Sequence, residues 1–194
     1  MALLHGDATI RPTKPELLAA WLPTRPWFDG DASALEIVGT YRFDDPDGEV
    51  GMETHLFRAG GSAIYQVPLT YRAAPLDGAD AFLVGTMEHT VLGNRWVYHA
   101  SIDPVYLEVL ADTIRSRGSQ AELVRETADG QTEIIEPSVR VTGSGMSTDG
   151  PVELDVLTVL GAPLAAPVGA DDGTLTGRWG GLDSSVLLAV ATSR

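Results

Sequence analysis

The fold is decided by residues 80–114, which read DAFLVGTMEHTVLGNRWVYHASIDPVYLEVLADTI. Within them, Gly93 to Ala100 alternates between two faces in the manner of a β-strand. Asp103 and Pro104 then supply a helix N-cap and a proline at the first helical position, where the missing N–H costs nothing. Apolar residues follow at positions i, i+3, i+4 and i+7, namely Leu107, Leu110, Ala111 and Ile114. The stretch therefore predicts a strand followed by an amphipathic helix, which Gly118 ends.

Three segments upstream show the period-two alternation of strands and are separated by turn sequences. They are residues 34–43, 49–58 and 62–72. Pro68 has no backbone N–H, so the third strand is expected at a sheet edge or at a bulge. A short helix from Glu16 to Leu22, ended by Pro23, precedes this meander.

Beyond Gly118 the sequence predicts strands separated by Gly, Ser, Asp and Pro clusters, with a turn at Asp129-Gly130. The predicted strands are 121–127, 132–136, 139–142, 152–160, 175–179 and 185–192. The last has apolar residues on both faces and is expected to be central in its sheet. The chain is thus predicted to be α+β, with residues 1–118 forming one domain and residues 119–194 a β-rich C-terminal part.

Composition limits the function. The 194 residues contain 13 Lys plus Arg against 27 Asp plus Glu, a formal charge of −14. This charge repels nucleic acids and anionic membrane surfaces. The chain has no cysteine, no signal-peptide pattern and no apolar run long enough to span a membrane. We expect a cytoplasmic protein with no nucleic-acid or membrane partner.

Aromatic residues are the first candidates for binding. Trp27, Phe28, Trp96 and Tyr98 fit a platform for sugar rings or an anchor for a protein partner. They also fit an ordinary core beneath the sheet, which is the commoner role of such residues.

Polar residues of the central stretch are the second candidates. Glu88 and His89, with His99 and Asp103, are possible metal ligands, but adjacent strand residues point to opposite faces, so no metal site is predicted. Arg95 is expected to pair with Glu88, or else to meet an anionic ligand. No catalytic residue and no cofactor are predicted.

A combination of motifs resembles the N-terminal cap domain of bacterial maltokinases. The resemblance covers Pro15 to Arg117, and it rests on the short helix, the Arg25-Pro26-Trp27-Phe28 segment, the meander ending in Tyr65 to Leu69, Gly85-Thr86 and Asp103-Pro104. It implies a curved antiparallel sheet with flanking helices, similar to a cystatin-like fold. It also implies a role in the metabolism of trehalose, maltose and α-glucan.

The kinase parts that accompany such a cap are missing from the sequence. Phosphoryl transfer needs a strand lysine, a catalytic-loop Asp and metal-binding groups. The chain has one lysine, Lys14, and no His-x-Asp catalytic loop. The glycine-rich tail from Gly177 to Val190 is either a remnant of a kinase N-lobe or a tight turn between strands.

These observations favour a non-catalytic accessory or regulatory protein that acts through a partner or by binding glucan. The partner would be a sugar kinase or another α-glucan enzyme, and the ligand a malto-oligosaccharide. Two alternatives stay open. One is a glucan-active transferase, which needs a pair of carboxylates across a cleft. The other is a subunit that completes a sugar kinase in trans.

Overall fold

The computed structural model describes residues 2–4, 9–126, 132–148 and 150–193. These residues form two α-helices, α1 (Lys14–Trp21) and α2 (Pro104–Arg115), and strands in three sheets. The strands are β1 (Ala2–Leu4), β2 (Ile10–Arg11), β3 (Leu35–Phe43), β4 (Gly51–Ala59), β5 (Ile64–Arg72), β6 (Leu83–His89), β7 (Gly93–His99), β8 (Leu123–Glu126), β9 (Thr132–Ile135), β10 (Val139–Gly143), β11 (Val152–Val156), β12 (Val159–Leu160), β13 (Gly173–Trp179) and β14 (Val186–Ser193).

The main sheet is antiparallel and curls into a half-barrel, with the strand order β2-β6-β7-β5-β4-β3. The predicted α+β class, with a curved antiparallel sheet and flanking helices, is confirmed, although most of the structure is β. Neither α1 nor α2 spans a bilayer, since no helix in the described ranges is both long and apolar enough.

Strand β5 lies inside the sheet, so the predicted edge position is wrong. One of its edges pairs with β4, and the other pairs with β12 at Tyr65 and with β7 from Leu69 onward. The N–H of Gln66 donates to the Thr158 carbonyl at 2.8 Å. Backbone groups two residues apart face the same edge, so Pro68 presents its missing N–H to the gap between β12 and β7.

The main sheet is covered on both faces. On one face α1 packs over apolar residues of β4 to β7, and we call this cluster the α1-side core. On the other face α2 and strands β10, β13 and β14 pack over β3 and β4, forming the α2-side core. Alternation along β4 explains the division: Leu56 belongs to the α2-side core and Phe57 to the α1-side core. The strand predicted over residues 49–58 from its period-two alternation is confirmed.

The C-terminal part contains a four-stranded sheet in the order β10-β13-β14-β11. Strand β14 is central in it, as its apolar faces predict. The predicted strand over residues 152–160 is wrong, because the segment divides into β11, which pairs with β14, and β12, which pairs with β5. The glycine-rich tail forms the β13–β14 hairpin. The turn predicted at Asp129-Gly130 lies outside the described residues.

The boundary near Gly118 stays a prediction. The α2-side core draws on residues from both sides of it, including Leu110 of α2 and Leu188 of β14. Both are fully buried. Folding of either part by itself would therefore expose apolar surface that the other part now covers.

Helix α1 begins at Lys14, two residues before the predicted start. Thr13 is its N-cap and forms a capping box with Glu16, in which each side chain accepts a hydrogen bond from the other residue's backbone N–H. The helix packs closely on β6 because Gly85 has no side chain. A Cβ at this position would lie 2.6 Å from Leu17 Cδ2.

Substituting Gly85 with alanine is expected to destabilise the fold by about 1 kcal/mol, because the added methyl overlaps Leu17 and displaces α1. Urea unfolding followed by tryptophan fluorescence measures the change. Gly61→Ala is the control for the loss of a glycine, since a Cβ there contacts nothing within 4 Å and its φ lies outside the left-handed region. Equal effects of the two substitutions would contradict close packing at Gly85.

Candidate functional site

A cleft of about 300 Å³ opens between the segment that follows α1 and strand β11. We call it the aromatic cleft. Its lining includes the rings of Trp21, Trp27, Phe82 and His99 and the polar side chains of Arg25, Ser101, Asp155 and Thr158. Aromatic rings combined with a few polar groups are typical of small-molecule sites.

Local sequence explains how the tryptophans reach the cleft. Trp21 is the last residue of α1, and Pro23 interrupts the helix, so the chain turns through a 3-10 segment, Leu22–Thr24. Trp27 then returns against Trp21 edge-on, with ring centroids 5.9 Å apart. The Arg25 guanidinium lies over the Trp21 ring at 4.8 Å. Arg25 also donates to the Thr24 hydroxyl at 3.0 Å.

His99 is the most unusual polar residue of the cleft. Its ring stacks on Trp21 at 5.6 Å, and its Nδ1 is 2.7 Å from Ser101 Oγ. Its Nε2 is buried and has no hydrogen-bond partner among the described residues. Burial, followed by the charge of Arg25, lowers the pKa of His99 to about 4. The imidazole is therefore neutral at pH 7, and its Nε2 is a buried polar atom without a partner in the described part of the chain.

Residues 21–103 match the family model of the maltokinase N-terminal cap domain. These residues are similar to that cap domain, and we call them the cap-like domain. The match links the chain to maltose and trehalose metabolism. No curated protein matches the chain significantly. Trp21, Arg25, Trp27, Phe82, His99 and Ser101 all lie in the cap-like domain, whereas Asp155 and Thr158 of the cleft lie outside it.

The predicted aromatic platform does not form as one surface of the cap-like domain. Trp27 lines the cleft, and Phe28 packs beside it on Tyr65, with ring centroids 5.0 Å apart. Tyr98 is buried, and its hydroxyl accepts the N–H of Leu76 at 3.0 Å. Tyr98 is thus a core residue.

Trp96 lies on the opposite face of the sheet from Trp27. Along β7, Val97 belongs to the α1-side core, against which Trp27 packs. Side chains alternate along a strand, so the neighbouring Trp96 points to the other face. Trp96 is half-buried there. The two tryptophans therefore do not contact the same ligand.

The remaining predicted binding residues occupy the β6–β7 hairpin of the cap-like domain. Arg95 pairs in register with Met87, and Glu88 with Asn94. Directly opposed residues share a face, so Glu88 and Arg95 lie on different faces and the expected ion pair does not form. His89 Nδ1 accepts hydrogen bonds from the N–H groups of Val91 and Leu92 and so shapes the turn.

A buried charged cluster that was not predicted from the sequence lies beneath α1. Glu53 of β4 receives Lys14 of α1 in an ion pair, and it lies 3.4 Å from both His55 Nε2 and the Tyr71 hydroxyl. Burial opposes ionisation of Glu53, but the hydrogen bond and charge of His55 and the charges of Lys14 and Arg42 outweigh it and lower the pKa of the carboxyl. The cluster ties the first turn of α1 to the sheet.

Acidic and histidine side chains are not grouped for metal binding in the part of the chain that the structure describes, where no set of three or more lies together. His99 bonds to Ser101, while Asp103 is held by both Arg72 nitrogens at 2.7 Å. These two candidate ligands thus have separate structural partners.

Proposed function

We propose that the chain is a non-catalytic accessory protein of maltose and α-glucan metabolism that binds a short malto-oligosaccharide in the aromatic cleft. The observation that carries the proposal is that two tryptophans line one cleft together with His99, a residue whose Nε2 is buried and has no partner among the described residues. A sugar ring has apolar C–H faces that pack on aromatic rings and hydroxyl groups at its rim that form hydrogen bonds.

The size of the cleft favours a short ligand. A volume of about 300 Å³ is at the lower end of small-molecule sites, which range from about 300 to 1,000 Å³. This suits one or two sugar units at the end of a chain rather than a long glucan. The family of the cap-like domain indicates maltose as the first sugar to test.

The lining of the cleft argues against catalysis. Glycoside transfer uses two carboxylates that flank the scissile bond. Of the described residues that line the cleft, Asp155 is the sole carboxylate. Lys14, the one lysine of the chain, is bound to Glu53 at the start of α1 and is not part of the cleft. Neither glucan transfer nor phosphoryl transfer by this chain is supported.

Replacing Trp27 with alanine is expected to weaken maltose binding about tenfold, because one apolar wall of the cleft is lost. Isothermal titration of the full chain with glucose, maltose and maltotriose measures the affinity. The control is Phe28→Ala, which removes the adjacent, equally half-buried aromatic ring that packs on Tyr65 instead of the cleft. Equal losses of affinity in both variants would show that the sugar does not bind in the aromatic cleft. Failure of the wild type to bind any of the three sugars would contradict the proposal.

A protein partner is the second candidate, and one observation favours it. Val91 and Leu92, at the tip of the β6–β7 hairpin, are 58% and 46% exposed. Exposed apolar residues at a hairpin tip are suited to insertion into a partner. Association with a sugar kinase from the same cell, followed by size exclusion with the wild type and with Val91→Asp, tests this candidate. Failure of the wild type to associate would remove it.

A further inference from the structure

We propose that His99 and Ser101 determine the specificity of the aromatic cleft, with His99 Nε2 binding one hydroxyl group of a neutral sugar. This inference rests on the proposed function and adds the chemical group that the cleft recognises. His99, whose sequence context suggested only a possible metal ligand, thereby has a role in binding.

The atom assigned to ligand binding is a ring nitrogen of His99. His99 is 7% exposed, and its Nδ1 is already occupied by the Ser101 hydroxyl at 2.7 Å. Nε2 has no partner among the described residues although it is buried. More than nine in ten buried polar groups in proteins have a hydrogen-bond partner. His99 is one of the residues that line the aromatic cleft, so a group bound in the cleft is the candidate partner.

The hydrogen bond between His99 and Ser101 determines which chemical group Nε2 can bind. The Ser101 hydroxyl either accepts from Nδ1–H or donates to Nδ1, and each choice fixes the opposite role for Nε2. A ligand hydroxyl both donates and accepts, so it satisfies Nε2 in either tautomer. The stacked Trp21 ring holds the imidazole in place, so the position of the recognised hydroxyl is fixed relative to the cleft wall.

The charged side chains of the cleft favour a neutral ligand. Asp155 lines the same cleft and the chain carries a formal charge of −14, so an anionic ligand is repelled. Arg25 offsets the charge of Asp155 inside the cleft, but the net negative charge of the whole chain remains. Arg25 in turn repels a cationic ligand. An uncharged polyhydroxy compound avoids both penalties.

A nucleophile–base pair is the competing interpretation of these two residues. The distance of 2.7 Å between Ser101 Oγ and His99 Nδ1 fits such a pair. In working examples a third group holds the other ring nitrogen and stabilises the imidazolium. Here that nitrogen has no partner in the described part of the chain, and the lowered pKa of His99 disfavours the imidazolium. The pair is therefore suited to recognition.

The experiment compares maltose with its singly deoxygenated analogues, in which one hydroxyl at a time is replaced by hydrogen, by calorimetric titration at pH 7. For the wild type, one analogue is expected to bind roughly tenfold to a hundredfold more weakly than maltose, because Nε2 is then left unpaired. His99→Phe retains a ring for the Trp21 stack and lacks both nitrogens. The His99→Phe variant is expected to bind maltose as weakly as the wild type binds the disfavoured analogue. It is also expected to bind maltose and this analogue equally well.

Ser101→Ala provides a second variant, which keeps Nε2 but releases Nδ1. It is expected to weaken maltose binding several-fold while preserving the preference for the same hydroxyl. The analogue series on the wild type needs no variant, so it decides the question even if His99→Phe does not fold. If sugars bind but no analogue is discriminated, the role of His99 is overturned and the proposed function stands. If no sugar binds to the wild type, both are overturned.

Discussion

Replacing Arg72 with methionine is expected to lower the free energy of unfolding by about 3–5 kcal/mol, because a fully buried carboxylate loses its counter-charge. Asp103 is fully buried, and it accepts hydrogen bonds from Arg72 Nε and Nη2, both at 2.7 Å. It also accepts the N–H of Val105 and so caps α2. The ion pair therefore joins strand β5 to the start of α2.

Urea unfolding followed by circular dichroism measures this effect. Arg140→Met is the matched control, because Arg140 pairs with Glu136 at the exposed surface, where side chains are 63% and 83% exposed. Its loss is expected to cost less than about 0.5 kcal/mol. The double variant Arg72→Met, Asp103→Asn also removes the unpaired charge of Asp103. It is expected to recover part of the lost free energy of unfolding. Similar costs for Arg72→Met and Arg140→Met would show that the buried pair contributes little.

Local signals predicted the helix α2 well. Asp103 as N-cap, Pro104 at the first helical position and the apolar stripe at helical spacing all act within a few residues of one another. The same holds for β4, whose period-two alternation places Leu56 and Phe57 in different cores. In both cases the structure follows from interactions that the sequence pattern itself contains.

Strand pairing over long distances was harder to predict. Residues 152–160, which read VELDVLTVL, contain no glycine or proline and were predicted as one strand. In the structure they form β11 and β12, which belong to different sheets. The change occurs between Leu157, whose N–H donates to the Leu188 carbonyl, and Thr158, whose carbonyl accepts from Gln66. Partners so distant in the chain determine the break, and no local pattern records them. Pro68 was misplaced for the same reason.

The candidate site was predicted only in part. Trp27 was predicted as a candidate binding residue, but Trp21 was considered only as part of the short predicted helix, and Asp155 was not singled out. The cleft joins residues near 21–27, 99–101 and 154–158, which are far apart in sequence. One signal was present: His99 is a polar residue on the strand face that Val97 presents to the α1-side core. A polar side chain on an apolar face needs a partner.

Lowering the pH from 7 to 5 is expected to destabilise the wild type by about 2 kcal/mol more than His99→Phe. Burial and the charge of Arg25 lower the pKa of His99 from 6.5 to about 4 in the folded chain. Between these values the unfolded state binds the proton and the folded state does not. The contribution of His99 to the free energy of unfolding is therefore fully present above pH 6.5 and decreases as the pH falls towards 4. Below pH 4 this group causes no further loss.

Urea unfolding at pH 7, 6 and 5 measures the difference between the two proteins. The carboxyls of Glu53 and Asp103 have lowered pKa values and stay ionised in the folded chain over this interval, so they add little to the slope. His99→Phe keeps the aromatic stack on Trp21 and removes the proton-binding group, so it isolates the histidine contribution. Parallel stability curves for the two proteins would contradict a neutral, buried His99. A steeper wild-type curve would instead support a neutral imidazole at His99 at pH 7.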